Sequence, residues 1–87
     1  MKPKISIIIA TLNSGKTLKQ TLDSIRHQTY KNIELIIIDG LSSDNTLDLI
    51  KEYSDVVTKC ISERDNGIYE AFNKGITLAT GDYIGFI

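Results

Sequence analysis

Two short isoleucine-rich runs, Ile5–Thr11 and Ile33–Asp39, constrain this chain more than anything else in it. Each is nearly all apolar and β-branched, and so reads as a strand buried on both faces. Each stops abruptly at a polar loop, and each loop opens a helical pattern. That succession is the pattern of a parallel α/β sheet with ligand groups at the carboxyl ends of its strands. Asp39 stands at such an end.

Read in order, Leu12-Asn13-Ser14-Gly15 is a turn in which Asn13 or Ser14 caps the next helix. From Lys16 to about Gln28, Leu18, Leu22 and Ile25 share one helical face, while Lys19, Asp23 and Arg26 point away. His27 falls in the last turn, where the helix dipole favours a cation. It lies far from the strand tips and reads as a helix-end residue, not a catalytic base. After the Thr29–Asn32 turn and the second strand, Ser43 or Asp44 caps a helix from Thr46 to Tyr53 that buries Leu47, Leu49, Ile50 and Tyr53. Val56–Ser62 alternates as a third, edge strand and carries Cys60 as a buried residue. Glu63–Gly67 is a charged turn, with Asp65 a candidate cap. Ile68–Ala79 is a third helix with Ile68, Phe72, Ile76 and Ala79 in one stripe. Tyr83–Ile87 begins a fourth strand.

The order is β-α-β-α-β-α-β. Right-handed crossovers then predict a three-layer, mostly parallel sheet of order 3-2-1-4, with its switch point between strands one and four. Thr11 to Ser14 line that crevice and Asp39 is next to it.

A chain of 87 residues forms at most one small domain. Ten basic residues against eleven acidic leave no electrostatic footprint for nucleic acid. One cysteine excludes an internal disulfide and fits a reducing cytoplasm. The apolar start is interrupted by Ser6 and is followed by no small-residue cleavage pattern, so it does not read as an export signal. No run approaches the length of a membrane span. Ending on Ile-Gly-Phe-Ile, inside a core-like strand, the chain reads as the front part of a larger, incomplete domain. Its exposed apolar face would then favour self-association.

Two motif readings compete. Ala10-Thr-Leu-Asn-Ser-Gly-Lys-Thr17 approximates a phosphate-binding P-loop between a strand and a helix, with Lys16 for the phosphates, Thr17 for a metal, and Asp39 as the strand-end carboxylate. Against it, Gly15 is the only glycine in a loop that must curl tightly. A dinucleotide-binding domain would need a glycine fingerprint after strand one, and none is present. The other reading takes the loops together. A strand-tip Asp39 is an acceptor for a uracil N–H or for ribose hydroxyls, or else a turn residue. Ser42, Ser43 and Asp44 read as caps more than as contacts.

Four blocks carry a resemblance. Ile5–Asn13, then Ser24-Ile-Arg-His-Gln-Thr-Tyr-Lys-Asn-Ile-Glu-Leu-Ile-Ile-Ile-Asp-Gly-Leu-Ser-Ser-Asp-Asn-Thr46, then Glu63–Ile76 with Ala79–Phe86, together resemble the amino-terminal half of family 2 glycosyltransferases of GT-A fold. The resemblance implies transfer of a sugar from a nucleotide donor, usually a UDP-sugar, to a saccharide or lipid-linked acceptor, with inversion at the anomeric carbon. It implies roles in bacterial surface polysaccharide synthesis, at the cytoplasmic face of the inner membrane in full-length members. By the same resemblance, Thr11, Leu12 and Asn13 line the base and ribose, Asp39 accepts from uracil, and Asp65 with Asn73 and Lys74 borders the donor pocket. The implied divalent metal, manganese or magnesium, takes its ligands from an acidic motif beyond Ile87, and the general base lies later still. The 87 residues alone are therefore expected to be inactive. A non-catalytic assembly module on the same fold is the remaining alternative.

Overall fold

The computed structural model describes residues 2–87. Its elements are β1 (Ile5–Thr11), α1 (Leu18–Arg26), β2 (Ile33–Asp39), α2 (Thr46–Glu52), β3 (Lys59–Ser62), α3 (Ile68–Leu78) and β4 (Tyr83–Phe86). The sheet runs β3-β2-β1-β4 with every pair parallel. This is the predicted order, and it follows from the crossover rule: two steps in one direction, then a return past β1.

Strand alternation divides the isoleucines between two cores. Ile9, Leu35 and Ile37 meet Leu18 and Leu22 of α1 and Leu49, Ile50 and Tyr53 on the α2 side. Ile8, Ile36 and Ile38 face the other way and meet Ala71 of α3, with Phe72 and Leu78 packed alongside. Strands covered on both sides have no need of polar alternation, hence the near-continuous apolar runs.

The α3 contact departs from the expected stripe. Ile68 is 56% exposed and Ile76 44% exposed. The buried line is instead Ala71 and Gly75. A Cβ on Gly75 would come within 2.4 Å of Ile8 Cγ2, so the helix backbone lies directly on the sheet. Small residues permit that approach, and the bulky ones are displaced to the flanks.

Two further expectations are corrected at the β3 edge. The strand starts at Lys59, because the N–H groups of Val56 and Val57 both donate to the Tyr53 carbonyl in a turn. Cys60 is exposed rather than buried. Alternation turns Ile61 toward the α3 core and leaves its neighbour outward on a strand with no partner beyond it. At α1, neither Asn13 nor Ser14 caps through its side chain. The Ser14 carbonyl accepts from Thr17 and Leu18 instead, and the helix begins at Leu18.

At the amino-terminal end of the sheet, Glu34 is buried and ionised. Its Oε1 accepts from Ser6 Oγ (2.8 Å) and the Thr80 N–H (2.8 Å), and its Oε2 from Thr80 Oγ1 (2.9 Å). Lys59 Nζ stands 3.1 Å from Oε2. Burial pushes this carboxyl up, but the Thr80 N–H, the Ser6 and Thr80 hydroxyls and the Lys59 ammonium outweigh it and hold it at about 2.

Two predictions follow from this packing. Gly75→Ala improves helix propensity by about 1 kcal/mol, yet its methyl meets a fully buried, β-branched Ile8 that cannot turn aside. Overpacking of roughly 1–3 kcal/mol should win, lowering the urea midpoint. Because the Glu34 carboxyl lies below its unfolded value of about 4.3, its contribution is complete above that value and is lost as pH falls toward 2. Glu34→Gln should cost about 1.5–3 kcal/mol at pH 7. Urea titrations at pH 7 and pH 3 should show a smaller acid loss for the variant than for the wild type.

Candidate functional site

The site is built on one rung of the sheet. Thr11 and Asp39 end their strands in register, so their side chains project from the same face. Thr11 Oγ1 donates to Asp39 Oδ1 at 2.6 Å. The same oxygen accepts from Ser42 Oγ at 2.5 Å, while Oδ2 accepts from the Ser42 N–H (2.8 Å) and Ser62 Oγ (2.9 Å). Asp39 is fully buried. Burial pushes its carboxyl up, and the Ser42, Thr11 and Ser62 hydrogen bonds together bring it below the usual aspartate range. The carboxylate thus joins the ends of β1, β2 and β3 to the Gly40–Ser42 turn.

Above this rung, the β1–α1 and β2–α2 loops are fastened to each other. The Asn13 N–H donates to Ser42 Oγ (2.8 Å), and Asn13 Oδ1 accepts from the N–H groups of Ser43 (2.8 Å) and Asp44 (3.3 Å). Ser14 N–H donates to Thr46 Oγ1 (2.8 Å), and Gly15 N–H to Asp44 Oδ2 (3.0 Å). Asp44 Oδ1 also accepts from the Thr46 N–H at 2.9 Å as a local turn bond, while the cap position of α2 is Asn45, not the expected Ser43 or Asp44, and no side chain caps it. The Thr46 hydroxyl, first among its donors, holds the Asp44 carboxyl below its ordinary range. Asn13 itself adopts a left-handed conformation (φ 49°), which asparagine tolerates. Leu41 does so too (φ 62°), which is costly for a leucine.

These bonds dispose of the P-loop reading. A phosphate cradle needs the loop N–H groups turned toward the ligand. Here those of Leu12, Asn13, Ser14 and Gly15 are all given to side-chain oxygens of the chain itself.

A cleft of about 250 Å³ opens between the tip of β1 and the start of α3. Ala10, Thr11 and Leu12 form one wall; Asp65, Gly67, Ile68 and Ala71 form the other. Leu12 is 63% exposed and covers the cleft as a free apolar surface. The two walls converge over Gly40: a Cβ placed there would be 3.4 Å from Asp65 Oδ2 and 3.6 Å from Leu12 Cδ1. Asp65 Oδ1 accepts from the Gly67 N–H (3.1 Å) within the turn; the cap position of α3 is Gly67, so Asp65 does not cap the helix.

Of the residues singled out from sequence, Thr11, Leu12 and Asp65 meet in this cleft. Asp39 forms the buried rung beneath it, and Asn13 fastens the neighbouring loops. Asn73 and Lys74 do not line the cleft. Asn73 is exposed, and Lys74 pairs with Glu63 and Glu70. Sequence reasoning missed Ser62 and the bonding role of Ser42. A polar residue closing each of three adjacent strands (Thr11, Asp39, Ser62) was the available signal. Among the described residues, no group of three or more His, Cys, Asp or Glu could hold a metal ion. The carboxylates present therefore do not fit a metal centre by themselves.

A parallel sheet of order β3-β2-β1-β4 with alternating helices, and a cleft at the tip of β1, is the architecture of a GT-A glycosyltransferase fold. The chain belongs to glycosyl transferase family 2, whose family model matches residues 6–87. It is 42% identical over 88 residues to a PGL/p-HBAD biosynthesis glycosyltransferase of Mycobacterium bovis, covering 98% of this chain and 34% of that protein. It is also 42% identical, over 84 residues, to the Escherichia coli UDP-Glc:alpha-D-GlcNAc-diphosphoundecaprenol beta-1,3-glucosyltransferase WfaP, covering 95% of this chain and 34% of WfaP. Among solved structures it superposes on residues of S. aureus TarS 1-349 in complex with UDP-GlcNAc with a TM-score of 0.90 and 25% identity, covering 97% of this chain and 26% of TarS. The chain spans about a third of the length of the curated relatives it matches.

Asp39→Asn would replace two accepting oxygens with one and turn an NH₂ group toward existing donors. We expect a loss of about 2–3 kcal/mol, read as a lower urea midpoint at pH 7. Leu12→Ala, on an exposed side chain, should leave that midpoint within about 0.5 kcal/mol of the wild type.

Proposed function

We propose that this chain is the donor-nucleotide portion, residues 1–87, of an inverting glycosyltransferase that uses a UDP-sugar. The observation that carries the reading is the cleft at the tip of β1, on the side where the strand order reverses, which is where open α/β sheets take their ligands. Leu12 and Ile68 offer apolar surface to a base. Asp65 offers an acceptor to ribose hydroxyls. The Thr11–Asp39 rung lies beneath the cleft, and the reading gives the Asp39 carboxylate the uracil N–H.

A UDP donor is supported by the substrates in the names of WfaP and the TarS complex. Inversion is supported by WfaP, whose name pairs UDP-Glc, an α-linked donor, with a β-1,3 product. The same name and that of the mycobacterial relative favour a saccharide or lipid-linked acceptor in bacterial surface glycan synthesis. Work on such an acceptor would place the whole protein in the cytoplasm, peripheral at the inner face of the membrane. No helix among the described residues is long and apolar enough to cross it. The divalent metal and the general base of the family would come from residues outside this chain. Alone, these 87 residues would bind donor without transferring sugar, and their exposed β4 face would favour self-association.

Calorimetric titration with UDP, and with ATP as control, each with and without manganese, tests the reading. We expect a UDP Kd on the order of 1 mM or tighter, equivalent to about −4 kcal/mol. Leu12→Asp, which puts a charge on the apolar wall, should weaken it about tenfold without unfolding the chain. ATP binding as strong as UDP binding, or indifference to Leu12→Asp, would count against it. Hydrolysis of a UDP-sugar above background would refute the expected inactivity.

A further inference from the structure

Lys74 lies on α3 one turn beyond Glu70, and its side chain is only 21% exposed. It is directed at the Glu63–Gly67 loop. Its Nζ is 3.0 Å from Glu63 Oε1, 3.2 Å from the Arg64 carbonyl and 3.6 Å from Glu70 Oε1. Of the three N–H donors of the ammonium, two are directed at Glu63 and the Arg64 carbonyl, and Glu70 adds an ion-pair contact. The other Glu70 oxygen accepts from the Asn66 N–H at 3.1 Å. Two side chains one helical turn apart therefore grip the loop at Glu63, Arg64 and Asn66, on both sides of Asp65.

The loop needs such a grip. It closes on Gly67 at φ 124°, a conformation that glycine adopts and leaves with little resistance. Its own internal restraint is the short bond from Gly67 N–H to Asp65 Oδ1. Glu63, first among the causes, also holds the Lys74 ammonium above the usual lysine range, so the grip persists across the neutral range.

We infer that Lys74 is a positioning residue for donor binding: it clasps the Glu63–Gly67 loop and so sets Asp65 in the cleft wall, without touching the ligand. The ligand part of this inference rests on the UDP-sugar reading above.

Backbone ¹⁵N order parameters of the 87-residue chain test the clasp without any ligand, and UDP titration tests its consequence. Lys74→Met should lower the values over residues 64–67 from the rigid range of ~0.85 toward ~0.6 or less, leave β1 and β2 unchanged, and weaken UDP about tenfold. Lys74→Arg, which keeps a cation with several donors, should restore most of both. If Lys74→Met fails to fold, Glu63→Ala, on a side chain 56% exposed, gives the same loop readout. A loop that stays rigid in these variants overturns the clasp. Weakened UDP binding with a rigid loop overturns it in favour of direct contact with the ligand. If the wild-type chain binds no UDP, the donor reading and the ligand half of the inference fail together. The order parameters then decide separately whether the clasp exists.

Discussion

Two buried carboxylates, one at each end of β2, hold this sheet in one arrangement. An ionised carboxylate taken out of water is very unfavourable unless its lone pairs are met. Asp39 is met by Thr11, Ser62 and two groups of Ser42. Glu34 is met by Ser6, two groups of Thr80 and Lys59. Between them lie residues that carry almost no positional information, since one isoleucine resembles the next. A slip of β1 against β2 by two residues would keep every apolar side chain on its proper face. It would also part Ser6 from Glu34 and Thr11 from Asp39, leaving both carboxylates short of donors. The polar rungs select the register that the apolar runs leave open.

That selection reaches the cleft. Because Thr11 and Asp39 are tied, the loops that leave them start from fixed points, and the short bonds from Asn13, Ser14 and Gly15 then join loop to loop. Most polar groups at the strand tips are consumed in this way. The groups that remain free are few: the apolar face of Leu12, the outer oxygen of Asp65 and the flank of Ile68. A ligand would meet a preformed wall on the β1 side. On the α3 side it would meet a loop whose order depends on side chains rather than on ladder bonds.

Much of the fold was legible because it depends on short-range rules. Ile5–Thr11 and Ile33–Asp39 declare themselves by composition, and the sheet order follows from handedness. The α3 contact was not legible because periodicity ranks residues by hydrophobicity, and the helix settled where its small residues allowed close approach. Val56, Val57 and Cys60 were misplaced because β-propensity does not reveal where a turn captures N–H groups, nor that an edge lacks a neighbour. In the site, Thr11 and Leu12 were legible from their place at a strand end, whereas Asp65 read by position only as a cap and was set at the pocket by the family resemblance. What hid Glu34 and the grip of Lys74 is that both act through partners distant in sequence. Glu34 meets Thr80 across forty-six positions and Lys74 meets Arg64 across ten. A single sequence does not display such pairings.

The same hydrogen bonds limit the chemistry available to these residues. A general base works best when its protonated and ionised forms are close in free energy near the working pH. The bonds around Glu34 and Asp39 favour the ionised form strongly enough to overcome burial, which makes both carboxylates weak bases. His27 lies on the exposed end of α1, hydrogen-bonded through its ring to the Asp23 carbonyl and away from the cleft. Asp65 is the acid left in the wall, and it already accepts from Gly67. The strand tips described here are thus suited to holding hydroxyl and N–H groups of a ligand in place. Removing a proton from an incoming nucleophile calls for a group of a different kind.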